Sequence, residues 1–180
     1  MSNIFFISFL GDENIYYIST FIDALELKIN ELSEKEKVNI YFICTGGRND
    51  FTDCLIDILN ENQKKITLIA TGPIYSNGLL IYCEFKGSKK MLSSTTGLAH
   101  LSSFEPEMRD LLNVYSLSSI VKYQVENRNK KLTDLFTPLL LTDELERFCN
   151  GEDVYLSYER LKKMFRIKQS KLTNNVKNRK

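Results

Sequence analysis

Apolar residues fall along this chain in two alternating rhythms. Asn3 to Leu10 is β-rich and mostly apolar, as a strand buried on both faces is. Ile18, Phe21, Ile22, Leu25, Ile29 and Leu32 then recur at helical spacing. The alternation repeats. Val38 to Cys44 predicts a second buried strand, Thr45-Gly46-Gly47 a turn, and Phe51 to Leu59 an amphipathic helix. Ile66 to Ala70 predicts a third strand and Leu79 to Phe85 a third helix. Between them lies Gly72-Pro-Ile-Tyr-Ser76-Asn-Gly78, where Gly72-Pro73 predicts a sharp bend after the strand. Short strands are expected at Lys89 to Ser93 and Gly97 to Leu101. Met108 to Asn129 reads as a long helix opened by Pro106 and Glu107. Its apolar positions exceed the single stripe a surface helix needs, which predicts a buried or subunit-facing helix. Thr142 to Cys149 predicts a short helix closed by Asn150-Gly151. Val154 to Leu156 follows as a last strand, and Ser157 caps a last helix ending near Arg166.

Repeated βα units of this kind predict an α/β fold with a mainly parallel sheet flanked by helices. One domain is expected over residues 1–166, with a basic, flexible tail at 167–180. In open α/β sheets ligands sit beyond the carboxyl ends of the strands. Two unusual turns fall at such ends: Gly46-Gly47 and Tyr75-Ser76-Asn77.

Composition narrows the class. The 180 residues are 43% hydrophobic and 26% charged, as expected of a soluble globular protein. The net charge of +1 conceals an asymmetry, because from Arg160 onward the chain holds Lys and Arg but no Asp or Glu. A solvated tail is the expected reading of that end, rather than a nucleic-acid contact. The opening strand has no basic segment before it and meets Gly11-Asp12-Glu13 at once, so it reads as core rather than as a signal peptide. No apolar run approaches the length of a membrane helix. Cys44, Cys54, Cys83 and Cys149 form no C-x-x-C pair, and reduced, buried thiols in a cytoplasmic protein are expected. With one histidine and no paired cysteines, no metal site and no cofactor are expected.

That histidine, His100, stands 24 residues after Ser76. A serine at a strand-to-helix turn can be held exposed over the free N–H groups of the helix start, and a histidine can serve as its base. Each residue also has a plainer reading. Ser76 would serve as a helix N-cap, His100 as a core histidine at a strand end, and Gly46-Gly47 as a simple turn.

The order of these segments resembles the proteolytic subunit of Clp protease, within the ClpP/crotonase superfamily. Asn39-Ile-Tyr-Phe-Ile-Cys-Thr-Gly-Gly47 is similar to that family's strand ending in N-S-P-G-G. Gly72-Pro-Ile-Tyr-Ser76-Asn-Gly78 is similar to its G-x-x-x-S-M-G nucleophile turn. Lys86-Gly-Ser-Lys-Lys-Met-Leu92 resembles its K-G-K-R-x-x-L-P strand, and Gly97-Leu-Ala-His100 its M-I-H strand end. Glu152-Asp-Val-Tyr-Leu-Ser157-Tyr-Glu159 resembles R-D-x-x-M-S-x-E. The similarity runs from about Asn3 to Phe165. The chain departs from the pattern in its C-T-G-G turn, which lacks proline. It departs again after His100, where Leu-Ser-Ser-Phe-Glu replaces Gln-Pro and a Gly-rich strand.

The resemblance implies a ClpP/crotonase-like fold of repeated β-β-α and βα units and a serine peptidase. Ser76 would be the nucleophile, His100 the general base and Asp153 the residue that orients it, with Glu152 and Asp143 as neighbouring alternatives. The backbone N–H groups of Gly47 and Asn77 would form the oxyanion hole. Implied partners are a peptide or unfolded-protein substrate, further copies of the chain in a ring-shaped homo-oligomer, and an AAA+ unfoldase. A catalytically silent ClpP-like subunit is the alternative from another class. A crotonase-type acyl-CoA enzyme is the second, since it also sets paired N–H groups on a carbonyl but relies on acidic residues.

Overall fold

The computed structural model describes residues 3–9, 15–33, 36–47, 49–102 and 117–166. They form two compact units. The first takes the described residues up to Ala99 together with Tyr155–Lys163. The second takes those of His100–Val154 and from Met164 on.

The first unit is built on a sheet. Its elements are β1 (Asn3–Phe9), α1 (Ile15–Glu31), β2 (Val38–Cys44), α2 (Asn49–Glu61), β3 (Ile66–Tyr75), α3 (Asn77–Glu84), β4 (Ser88–Met91) and β5 (Thr96–Ala99). The strand order is β1-β2-β3-β5-β6, where β6 is Val154–Leu156, and β4 pairs with β3 off that path. The pairings β1–β2, β2–β3, β3–β4 and β3–β5 are all parallel. The βα alternation in the sequence thus becomes a mixed α/β fold with a largely parallel sheet. In β2, Val38, Ile40, Phe42 and Cys44 are buried while the residues between them are half-buried, the period of two that a pleated strand imposes. The helix α3 is buried from Asn77 to Cys83, which explains its nearly unbroken apolar run. A last helix, α6, spans residues 158–166, and the Arg160 N–H donates to Ser157 Oγ at 3.3 Å, as expected of a cap.

The strand β3 divides its partners. Thr67–Ala70 pair with β4, and Pro73–Tyr75 pair with β5. Gly72 and Pro73, expected to bend the chain, lie inside this strand instead. Against β2, Ala70 faces Phe42 and Ile74 faces Cys44, so three residues of β3 stand opposite Ile43. A proline has no N–H to offer a ladder and is tolerated at such an irregularity. The strand therefore runs on to Tyr75, and the turn falls on Ser76 itself.

Other boundaries shift for similar reasons. The strand β5 ends at Ala99, so His100 follows it, where a strand through Leu101 was expected. The long helix α4 runs from Leu117 to Phe136, past the expected end at Asn129, because Leu132 and Phe136 continue its buried stripe at four-residue spacing. The segment from Met108 to Ser116 lies outside the described residues.

In the second unit α4 is followed by α5 (Thr142–Cys149), and Phe136 meets Phe148 edge-on with ring centroids 5.5 Å apart. None of the four cysteines forms a disulfide, but only Cys44 and Cys83 are buried. Cys54 and Cys149 are exposed, against expectation. Helical phase decides it: in α2 the buried side is taken by Thr52, Leu55, Ile56 and Leu59. No described helix is long and apolar enough to cross a membrane.

Candidate active site

Ser76 joins β3 to α3 with φ 52° and ψ −118°, the one non-glycine with positive φ among the described residues. Such backbone costs on the order of 1–3 kcal/mol and persists only where its surroundings impose it. They do so here. Its N–H donates to Leu98 O of β5 at 2.8 Å, and its carbonyl accepts from Leu80 N at 3.1 Å, which starts α3. The hydroxyl makes no capping bond to the helix. The N-cap reading therefore fails, and the serine is left half-buried at a strained strand-to-helix turn.

The Gly46-Gly47 turn after β2 comes to the same place. A Cβ on Gly46 would stand 3.5 Å from Ser76 Cβ and 3.9 Å from its Oγ. Both glycines hold φ near 130°, at 130° and 131°, where a side chain would be strained. The first turn of α3 is carried close to β2 because residue 78 is glycine. A Cβ there would lie 2.8 Å from Cys44 Cβ and closer still to Cys44 O. The ends of β2 and β3 thus bring Gly46, Gly47, Ser76 and Asn77 together. The Asn77 side chain, which sequence reasoning passed over, joins them. It is buried, and its Nδ2 donates to Gly47 O at 2.6 Å and to Asn49 Oδ1 at 3.0 Å.

In the second unit the structure pairs His100 with Asp153, with Nδ1 and Oδ1 3.4 Å apart. The approach to Asp153 is built by the end of α5. Gly151 N donates to Phe148 O and Glu152 N to Arg147 O, the two bonds that close a helix on a left-handed residue. Arg147, in the last turn of α5, then reaches over this closure. Its Nε lies 3.2 Å from Glu152 Oε2, and its Nη2 donates to the carbonyl of Asp153 at 2.9 Å. Of the adjacent acids, Glu152 is engaged by Arg147 while Asp153 faces the imidazole. After His100, Asn129 of α4 holds Ser102 at both backbone atoms, accepting from its N at 2.7 Å and donating to its O at 3.1 Å. Neither Arg147 nor Asn129 was picked out from the sequence. An arginine one turn before the Glu152-Asp153 pair was the available signal for the first, and nothing local marked the second.

No family profile matches this chain, and no curated protein matches it. Among solved structures it is similar to a ClpP1 point mutant from Listeria monocytogenes, with a TM-score of 0.66 and 15% identity over 90% of this chain and 86% of that one. The chain has a ClpP-like fold. At that identity the likeness is one of fold. Within the ClpP-like fold, the strained serine and the glycine turn are features of this chain's own backbone.

Proposed function

We propose that this protein is a serine peptidase in which Ser76 is the nucleophile, His100 the general base and Asp153 the residue that orients it. The observation that carries the reading is the backbone of Ser76. A strained serine between strand and helix, its hydroxyl unused by the helix and the Gly46-Gly47 turn beside it, is a costly arrangement for a purely structural residue.

In the proposed reaction Ser76 Oγ attacks the peptide carbonyl as His100 Nε2 accepts its proton. The C–N bond then breaks, and His100 returns the proton to the leaving amine. Water attacks the resulting ester by the same route and regenerates the serine. Asp153, at Nδ1, fixes the tautomer that leaves Nε2 able to accept and stabilises the imidazolium that forms. The N–H groups of Gly47 and Asn77 would receive the carbonyl oxygen as it becomes an oxyanion, each worth about 3 kcal/mol of barrier. The start of α3 adds the positive end of a helix dipole there.

A fluorophosphonate probe tests the reading, since it reacts with an activated serine alone. Labelling at Ser76 that vanishes in both Ser76→Ala and His100→Gln is expected. An unlabelled wild-type protein would leave the silent-subunit and acyl-CoA-enzyme readings in its place.

A homo-oligomer is part of the same proposal. On α4 Tyr123 is exposed, a large aromatic for a contact between copies. Sedimentation at tens of micromolar tests it, and a strictly monomeric profile would remove it.

A further inference from the structure

The Gly46-Gly47 turn poses a physical problem. Two adjacent residues without Cβ atoms have little intrinsic preference among peptide orientations, and a flipped peptide would reverse the direction of the Gly47 N–H. Something outside the glycines must choose one orientation, and two buried side chains are placed to do so.

The first is Asn77. Its side chain is 4% exposed, and both hydrogens of Nδ2 are engaged, one by Gly47 O at 2.6 Å and the other by Asn49 Oδ1 at 3.0 Å. The amide orientation follows from chemistry, since a carbonyl oxygen can only accept. The bond to Gly47 O fixes the peptide that leaves Gly47. The second is Cys44, 2% exposed, whose Sγ donates to Gly46 O at 3.3 Å. That carbonyl belongs to the peptide that carries the Gly47 N–H. In a trans peptide C=O and N–H point in opposite directions, so holding one aims the other. Both peptides flanking Gly47 are thus held, one by each side chain.

We infer that the Asn77 side chain, assisted by the Cys44 thiol, is a positioning element that locks the Gly46-Gly47 turn with the Gly47 N–H presented beside Ser76. The inference rests on the hydrolase reading for its consequence in catalysis, while the lock itself is a property of the turn. Asn77 would then act twice, its backbone N–H as one oxyanion donor and its side chain as the anchor of the peptide that follows the other. It touches no reacting atom through that side chain.

The experiment uses the full chain labelled with 15N-glycine and the variants Asn77→Asp, Cys44→Ala and Cys44→Ser. The isosteric Asn77→Asp removes the donor and sets a carboxylate oxygen against Gly47 O. The Gly47 amide resonance should move. Fluorophosphonate labelling of Ser76 should slow by about ten- to a hundredfold, short of the loss caused by deleting a donor. Cys44→Ala should show a smaller change in both readouts, and Cys44→Ser, which keeps a donor, should restore them. If Asn77→Asp is too unstable to fold, the Cys44 pair alone decides. A Gly47 amide that is unmoved in Asn77→Asp, or equally displaced in Cys44→Ala and Cys44→Ser, overturns the lock. A wild-type protein that takes no label while its Gly47 amide still responds to Asn77→Asp upholds the lock and sinks the hydrolase reading.

Discussion

His100 Nδ1 and Asp153 Oδ1 stand 3.4 Å apart, and the backbone carbonyl of Asp153 is held by Arg147 at 2.9 Å. The acid is thus fixed from behind by a residue that does not touch the imidazole. If Asp153 sets the tautomer of His100, Asp153→Asn should lower kcat/KM by on the order of a thousandfold or more, because the amide favours the wrong one. Arg147→Ala should cost far less, about tenfold, since the helix closure at Gly151 still brings the segment round. A steady-state assay on a short peptide ester compares the two. Equal losses would show that Arg147 matters through folding of the segment rather than through Asp153.

Ser76 offers a test that separates strain from chemistry. Ser76→Ala and Ser76→Gly both remove the hydroxyl, but only glycine is at ease at φ 52° and ψ −118°. Both variants should lose hydrolysis and labelling. Ser76→Gly should melt higher than Ser76→Ala by a few degrees, reflecting about 1 kcal/mol of relieved strain after the entropic cost of glycine. Coincident thermal midpoints would mean that the turn is not strained.

The hydrolase reading also fixes the direction of a pH dependence. Imidazolium cannot accept the Ser76 proton, so kcat/KM should fall on acidification in a single limb, which His100→Gln abolishes together with the activity. A variant that kept both would place the base elsewhere.

Much of the fold was legible because buried parallel strands and amphipathic helices write their periods into the chain. Val38 to Cys44 and Val154 to Leu156 emerge as strands with the expected limits. Gly72-Pro73 misled because turn residues are read locally, while a register shift against Ile43 is a property of two strands together. Cys54 and Cys149 misled because an apolar neighbourhood in sequence does not say which side of a helix a residue takes. At the candidate site, Ser76, Gly46 and Gly47 were visible as special backbone positions. The roles of the Asn77 side chain and of Arg147 depend on partners 30 and 6 residues away, which no local pattern discloses.

Gly78 leaves no room for a single methyl group. A methyl there meets Cys44 Cβ at 2.8 Å and the Cys44 carbonyl at closer range, and a backbone atom of a central strand cannot step aside. The overpacking should cost about 3 kcal/mol, against which the better helix propensity of alanine returns only about 1. Gly78→Ala should therefore destabilise the protein by about 2 kcal/mol in urea. Adding Cys44→Gly, which removes that Cβ, should not rescue it, since the carbonyl contact remains; recovery in the double variant beyond the effect of Cys44→Gly alone would show that the side chain was the obstacle.

Tyr82 governs the alkaline side. It is buried on α3, its hydroxyl donates to Lys90 O at 2.6 Å, and burial, with the neighbouring Cys83 adding to it, raises its pKa far above the ordinary tyrosine value. An unfolded tyrosine ionises near pH 10. Above that, the unfolded chain releases a proton that the folded chain retains, so the unfolded state gains and stability falls as pH rises. Below about pH 10 the contribution of this group is fully present. The loss should approach about 1.4 kcal/mol per pH unit from this one side chain between pH 10 and 12. Tyr82→Phe gives up the hydrogen bond to Lys90 O, so it should be less stable at pH 8, by about 1 kcal/mol. Its stability should then decline less steeply with alkali, and the two curves should converge or cross above pH 11. Urea unfolding at pH 8, 10, 11 and 12 measures both slopes. Parallel curves would mean that the folded chain lets this phenol ionise, contrary to its burial.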